Sequence, residues 1–310
     1  MARGEVKTAS MQRALYSLVG FKLAFITARV LPRSWCQEIA PWIAAKSYRR
    51  SPAIEAALRS NLSLVTGKTG AALDTLCAIN VRRFSQMMAD YFLCAGLDAL
   101  KQADRLVEDW SGYHNLEAAL AGGRGAIIVT AHLGHWELGG ITLARRGLPL
   151  SVVTLEEPST ELTRWREAFR RHLGIKTITV GPGHPFAFVE MIQTLRRNEL
   201  LAMLVDRPYP GSGAPVTFFG KQTEFSTAPA LLAQHTGAAV LPAFVLQKPN
   251  SLYSSIACPL IPMDAGEDRR ASLAENTQRM ASSFEEIIRE HPEQWFNYSP
   301  IWNAAADSDA

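Results

Sequence analysis

The sequence predicts an α/β protein: a three-layer sandwich with a largely parallel sheet flanked by helices, preceded by an N-terminal helical region. Three observations carry this. From residue 126 onward, short runs rich in Val, Ile and Leu alternate with longer amphipathic stretches, and strands spaced by helices imply parallel pairing through crossover connections. Residues 11 to about 106 show apolar spacing of three to four, punctuated by Pro32, Pro41 and Pro52, with no good strand run. The chain has 310 residues, 47% of them hydrophobic, which suffices for one large core with a helical appendage. The expected organisation is a helical region over 1–106, an α/β domain over 107–302 continuous with those helices, and a disordered tail over 303–310. Residues 1 to about 10 are small and polar and are expected to fray.

Within the helical region, 71–79 and 81–93 mix apolar and polar residues at helical spacing. After Gly122-Gly123 the pattern changes. Ala126–Thr130 (AIIVT) and Leu150–Leu155 (LSVVTL) read as buried strands. Residues 161–172 form an amphipathic helix, 176–180 a strand, 186–197 a helix and 200–205 (LLAMLV) a strand. Helix 227–235 has Pro229 near its first turn, a position proline tolerates. Strands follow at 240–244 and 251–257, and 272–290 is a final amphipathic helix. In such sheets functional residues tend to lie just past strand C-termini.

The formal net charge of +3 is too weak to argue for nucleic acid as a partner. It suits an anionic membrane surface or an acidic donor protein. Cys36, Cys77, Cys94 and Cys258 are scattered without a CxxC pair, so they read as reduced, structural thiols in a cytosol-facing protein. No cleavable signal peptide is evident. The apolar stretch 11–31 has Lys22 at its centre and Arg13 and Arg29 on its flanks, a poor spanning segment. At helical spacing Leu15, Leu18, Val19, Phe25, Ile26 and Val30 share a face, which suits either a helix lying in a membrane interface or a core helix.

The chemistry concentrates in Thr130-Ala131-His132-Leu133-Gly134-His135-Trp136-Glu137. His132 stands two residues past a buried strand, where a catalytic loop belongs. If a turn or helix begins near Gly134, the Glu137 carboxylate can fold back onto the imidazole. A carboxylate on one ring nitrogen fixes the tautomer, and the other nitrogen can take a proton from a hydroxyl. His132, His135 and Glu137 also invite a zinc reading, but their spacing departs from the usual ligand pattern and no third site is obvious; no metal is expected, and His135 is read as a pocket-lining or hydrogen-bonding residue. Asp206 ends another buried strand. The Gly- and Pro-rich loop beyond it carries Arg207, and Phe218, Phe219 and Lys221 follow. Arg207 and Lys221 suit phosphate or headgroup oxygens, and Phe218 and Phe219 an acyl or pantetheine passage. No GxSxG elbow, Walker A or GxGxxG fingerprint occurs.

The run Gly125 to Leu138 closely resembles the HxxxxD/E motif of the bacterial lipid A biosynthesis acyltransferases of the lauroyl and myristoyl type, a family that includes phosphatidylinositol mannoside acyltransferases. The likeness continues through Arg170-Arg171-His172-Leu173-Gly174, Asp206 and Phe218-Phe219-Gly220-Lys221. It then runs from Ala228-Pro229 to Ala238 and through Leu241-Pro242-Ala243-Phe244, and ends at His291-Pro292-Glu293-Gln294-Trp295-Phe296. These blocks keep the family's order over roughly 110–302. The resemblance implies a peripheral enzyme on the cytoplasmic face of the bacterial inner membrane. Such an enzyme moves a fatty acyl chain from an acyl carrier protein or coenzyme A thioester to a hydroxyl of a glycolipid or phospholipid, with no further cofactor. His132 maps to the general base, Glu137 to its charge-relay partner, and Arg170 and Asp206 to the pocket. The family commonly has Asn where this chain has His135. A thioesterase or lipid hydrolase using the same dyad, and a non-catalytic lipid-binding protein, are the alternative readings.

Overall fold

The computed structural model describes residues 18–94, 99–156, 160–181, 183–207, 213–264, 266 and 268–302. The expected frayed ends, the first part of the apolar stretch 11–31 and most of the loop after Arg207 lie outside them.

Four helices open the described chain: α1 (Leu18–Val30), α2 (Arg33–Tyr48), α3 (Pro52–Thr66) and α4 (Gly70–Leu93). Helix α3 has proline at its first turn and stops at Gly67, whose left-handed φ of 67° ends the ladder. Pro41 lies inside α2 rather than ending it. The segments read separately as 71–79 and 81–93 form the single helix α4. The chain continues through α5 (Ala99–Leu106), β1 (Val107–Ser111), α6 (Tyr113–Ala121), β2 (Ala126–Thr130), α7 (Trp136–Arg145), β3 (Leu150–Leu155), α8 (Thr160–His172) and β4 (Ile175–Val180). Next come α9 (Ala187–Arg196), β5 (Leu200–Leu204), the hairpin β6 (Gly213–Phe218) and β7 (Lys221–Ser226), then α10 (Ala228–Thr236), β8 (Ala239–Gln247), β9 (Tyr253–Ala257) and α11 (Arg269–Glu290).

The main sheet has seven strands in the order β1-β9-β8-β2-β5-β3-β4. Strands β8, β2, β5, β3 and β4 run parallel, β9 pairs antiparallel with β8, and β1 pairs parallel with β9. All five residues of β2 are buried, as expected for a central strand covered on both faces. Its side chains alternate between two cores. Ile127 and Val129 join the core made with α3, α4 and α9–α11, while Ala126 and Ile128 join that made with α6, α7 and α8. This is the three-layer α/β sandwich that the sequence predicts. The edge strand β1 and the hairpin were not anticipated: Val-Glu-Asp-Trp-Ser has no apolar alternation, β6 (GAPVTF) carries the strand-disfavouring Gly213 and Pro215, and β7 (KQTEFS) is largely polar.

Register brings two loops together. Thr130 of β2 stands opposite Leu204 of β5. The residues two positions further on, His132 and Asp206, therefore leave adjacent strands at the same C-terminal edge.

Candidate active site

His132 and Asp206 meet at this edge. Imidazole Nδ1 lies 2.7 Å from Asp206 Oδ1, and the His132 backbone N–H donates to both carboxylate oxygens at 3.2 and 3.1 Å. The indole N–H of Trp295 donates to Oδ2 at 3.2 Å. The Asp206 side chain is fully buried, whereas that of His132 is 21% exposed. Burial alone pushes the Asp206 carboxyl up, but the His132 charge, these hydrogen bonds and Arg207 outweigh it and hold it at about 2. Burial likewise lowers the His132 pKa; Asp206 opposes this without overcoming it, and Arg207 adds to the lowering. The site thus contains an ionised carboxylate beside an imidazole that is neutral at pH 7. With a carboxylate accepting at Nδ1, that nitrogen carries the proton and Nε2 is left basic.

Glu137 does not fold back onto His132. The backbone turns at Gly134, whose φ is 65°, and α7 starts at Trp136, so Glu137 falls in its first turn. There it meets Arg170 in the last turn of α8. Nη2 is 2.5 Å from Oε1 and Nε is 3.3 Å from Oε2. Both side chains are largely buried. Burial raises the Glu137 pKa, but Arg170 more than offsets that and keeps it below the usual range. The anticipated His132–Glu137 contact is replaced by two pairs, His132–Asp206 and Glu137–Arg170. The Trp136 ring between them stands edge-on to His132 at 5.4 Å.

His135 caps α7. Its Nδ1 accepts the Leu138 N–H at 3.3 Å, its ring is wholly buried, and the ring of Tyr253 stands edge-on at 5.3 Å. Of the two expected roles the structure thus shows the hydrogen bond, not an open pocket wall. Behind it the Tyr253 hydroxyl donates to Asp90 at 2.8 Å, and Arg33 grips Asp90 at 2.7 and 2.9 Å. Burial lowers the His135 pKa to about 4, against the opposing pull of Asp90 and Glu137. The fold thus keeps His135 neutral, while the unfolded chain protonates it below about pH 6.5. Its contribution to stability is complete above that pH and is lost as pH falls toward about 4. Between pH 7 and pH 5 the loss is roughly 2 kcal/mol. His135→Asn, still able to cap the helix, is expected to remove this acid sensitivity, as urea unfolding at the two pH values will measure.

The other anticipated residues do not hydrogen-bond to the His132–Asp206 pair, although the Arg207 charge acts on both members. Arg207 donates to Asn297 Oδ1 and the Phe296 carbonyl, both at 2.8 Å, and so fastens the C-terminal segment beneath the site. Phe218 lines no passage: it is fully buried, stacked on Trp302 at 5.9 Å and edge-on to Trp295 at 6.2 Å. Phe219 has a φ of 51°, donates its N–H to Glu285, and lies beneath the Arg289 guanidinium. Lys221 is exposed at the start of β7. His132, His135 and Glu137 each turn to a different partner, and among the described residues no three His, Cys, Asp or Glu side chains are placed to hold a metal ion.

Trp295 and the segment around it were missed as site residues. The N–H of Phe296 donates to the His132 carbonyl at 2.7 Å, and that of Gly134 to the Gln294 carbonyl at 2.9 Å. Gln294 also exchanges hydrogen bonds with the Gln247 backbone. The only signal was the Pro-Glu-Gln-Trp-Phe block itself.

The family profile described as bacterial lipid A biosynthesis acyltransferase matches residues 3–303. The chain belongs to this family. This acyltransferase is 29% identical over 249 residues to a phosphatidylinositol mannoside acyltransferase of Mycobacterium tuberculosis (strain CDC 1551 / Oshkosh), covering 80% of this chain and 77% of that one. It is 25% identical over 287 residues to the Mycolicibacterium smegmatis protein of the same name, covering 92% and 91%. The residues gathered at the strand edge thus belong to an enzyme of the lipid A and phosphatidylinositol mannoside acyltransferase type.

Proposed function

We propose that this acyltransferase moves a fatty acyl chain from an acyl carrier protein or coenzyme A thioester to a hydroxyl of a membrane glycolipid or phospholipid, with His132 as general base and Asp206 as its partner. The observation that carries this reading is the 2.7 Å contact between His132 Nδ1 and a buried, ionised Asp206. Nε2 takes the proton of the acceptor hydroxyl, and Asp206 steadies the imidazolium that forms. The acceptor oxygen attacks the thioester carbonyl, the C–S bond breaks, and the departing thiolate takes the proton back from His132. Glu137 and Arg170 hold α7 against α8 and set the position of the Trp136 ring. The relatives are named phosphatidylinositol mannoside acyltransferases, which supports an anionic glycolipid as the acceptor.

Among the described residues no helix is long and apolar enough to cross a membrane. Attachment to the membrane surface is favoured by the exposed face of α1, on which Leu23, Ile26 and Val30 recur at helical spacing.

Incubation with radiolabelled palmitoyl-coenzyme A and a bacterial lipid extract separates transfer from hydrolysis: labelled glycolipid is expected, and label recovered only as free fatty acid would make the protein a thioesterase. Because the base must be neutral and its pKa is lowered, the rate is expected to hold below about pH 6.5 before the acid limb begins.

A further inference from the structure

Helices α1, α2 and α4 leave between them a groove of about 420 Å³, within the size range of ligand sites. Its walls are apolar: Ala24 from α1, Ile39, Ala40 and Ile43 from α2, and Met88 and Ala89 from α4. Of the hydroxyls that border it, Thr27 bonds the Leu23 carbonyl at 2.8 Å, Ser85 the Arg82 carbonyl at 2.7 Å and Tyr298 the Asn80 side chain at 3.0 Å, while the buried Tyr48 hydroxyl has no hydrogen-bond partner. No charged side chain lines the groove, so the fitting occupant is a hydrocarbon chain rather than a charged headgroup.

The surroundings specify which kind. Around the mouth, Trp35, Ile39, Trp42 and Ile43 recur at helical spacing on α2, with Trp42 69% exposed, beside Leu23, Ile26 and Val30 of α1. Aromatic and aliphatic side chains arrayed in this way suit a bilayer interface. The flanking charge is one-sided. Lys22, Arg29, Lys46, Arg49 and Arg50 are exposed, whereas the one carboxylate of α2, Glu38, is paired with Arg82 of α4. Lys46 and Arg29 lie over the rings of Trp42 and Phe25, which fixes their charge next to the apolar face. Such a surface complements an anionic lipid.

Two residues that line the groove, Phe84 and Tyr298, tie it to the segment that holds the His132 loop. Phe84 stands edge-on to Phe296 at 5.3 Å and to Tyr298 at 5.2 Å, and the Phe296 N–H holds the His132 carbonyl.

We propose that the α1–α2–α4 groove is a lipid-tail slot that takes one fatty acyl chain of an anionic membrane lipid, its headgroup held by the Lys46, Arg49 and Arg50 cluster. The slot deepens the acyltransferase reading by giving a lipid acceptor a seat beside the His132 loop. Its binding chemistry is independent of turnover.

Native mass spectrometry of the full chain, after incubation with vesicles of dioleoyl phosphatidylcholine alone or mixed with dioleoyl phosphatidylglycerol, tests this. Wild type is expected to carry one lipid per chain and to prefer phosphatidylglycerol about tenfold. Filling the slot with Ala40→Phe and Ala89→Phe is expected to lower occupancy more than about tenfold. Ile39→Ser with Ile43→Ser acts at exposed positions that do not build the core and is expected to weaken it likewise. Neutralising Lys46, Arg49 and Arg50 with glutamine keeps a bound lipid but removes the preference. Wild-type occupancy in both slot variants would overturn the proposal. So would a lipid that appears only when residues 1–17 are deleted, which would assign the slot to the chain's own N-terminal segment. Palmitoyl-coenzyme A turnover measured in parallel separates the two readings. Lipid bound without turnover keeps the slot and rejects the enzyme reading; turnover without bound lipid does the reverse.

Discussion

Asp206→Asn is expected to lower kcat by about 10⁴-fold while leaving the KM for the acyl donor close to that of wild type. The carboxylate accepts at His132 Nδ1, the His132 N–H and the Trp295 indole. An asparagine offers one oxygen and an NH2 group, and an amide donating toward Nδ1 selects the tautomer that puts the proton on Nε2. The base then points its hydrogen at the acceptor. Loss of the negative charge also shifts the acid limb of the rate profile to lower pH, because Asp206 is what raises the His132 pKa against burial. Glu137→Gln provides the contrast. Its partner is Arg170 rather than His132, so the main expected effect is on stability: breaking a largely buried pair costs about 3–5 kcal/mol, less where the amide keeps one hydrogen bond. Steady-state kinetics together with urea unfolding of both variants check the pair. A Glu137→Gln enzyme as inactive as Asp206→Asn but fully stable would return the relay role to Glu137.

Gly134→Ala is expected to destabilise the protein by at least about 3 kcal/mol and to abolish activity with it. The φ of 65° already disfavours any side chain. A Cβ there would also come to 2.0 Å from the Val245 carbonyl oxygen, which accepts the His135 N–H at 2.7 Å. Backbone cannot yield as a flexible side chain can, so the loop has to leave its seat between β8 and the Gln294–Phe296 segment. Chemical denaturation shows the loss directly. Unchanged stability would mean that the loop tolerates another path and that the close approach to β8 is dispensable.

The elements most readable from sequence were those whose burial leaves a one-dimensional trace. The limits of β2 and β3 coincide with their apolar runs; both faces of β2 are covered, whereas β3 is buried at Leu150 and Ser151 and grows more exposed toward Leu155. Strand β1 left no such trace: Glu108 and Asp109 are exposed and tied to Lys248. The hairpin β6–β7 left little trace either: β6 contains Gly213 and Pro215, β7 is mostly polar, and only Val216, Phe218 and Phe225 are fully buried. His132, Asp206 and Arg170 were each visible as candidates, but their pairing was not. Chain spacing suggested Glu137 as the neighbour of His132, whereas the register of β2 with β5 brings in Asp206 from 74 residues away. What decides the pairing is which strands lie side by side, a long-range property that local spacing does not carry. His135 was obscure for a related reason, since its role depends on Tyr253 and on the helix that starts one residue later.

The central claim is that His132 is the base of an acyl transfer. It is tested most directly by purified His132→Gln, assayed for movement of label from palmitoyl-coenzyme A into a lipid extract, with the thermal midpoint measured on the same sample. No labelled lipid above background is expected, with the midpoint within a few degrees of wild type, because the ring is part-exposed and its backbone contacts remain. Transfer near the wild-type rate by that folded variant would contradict it.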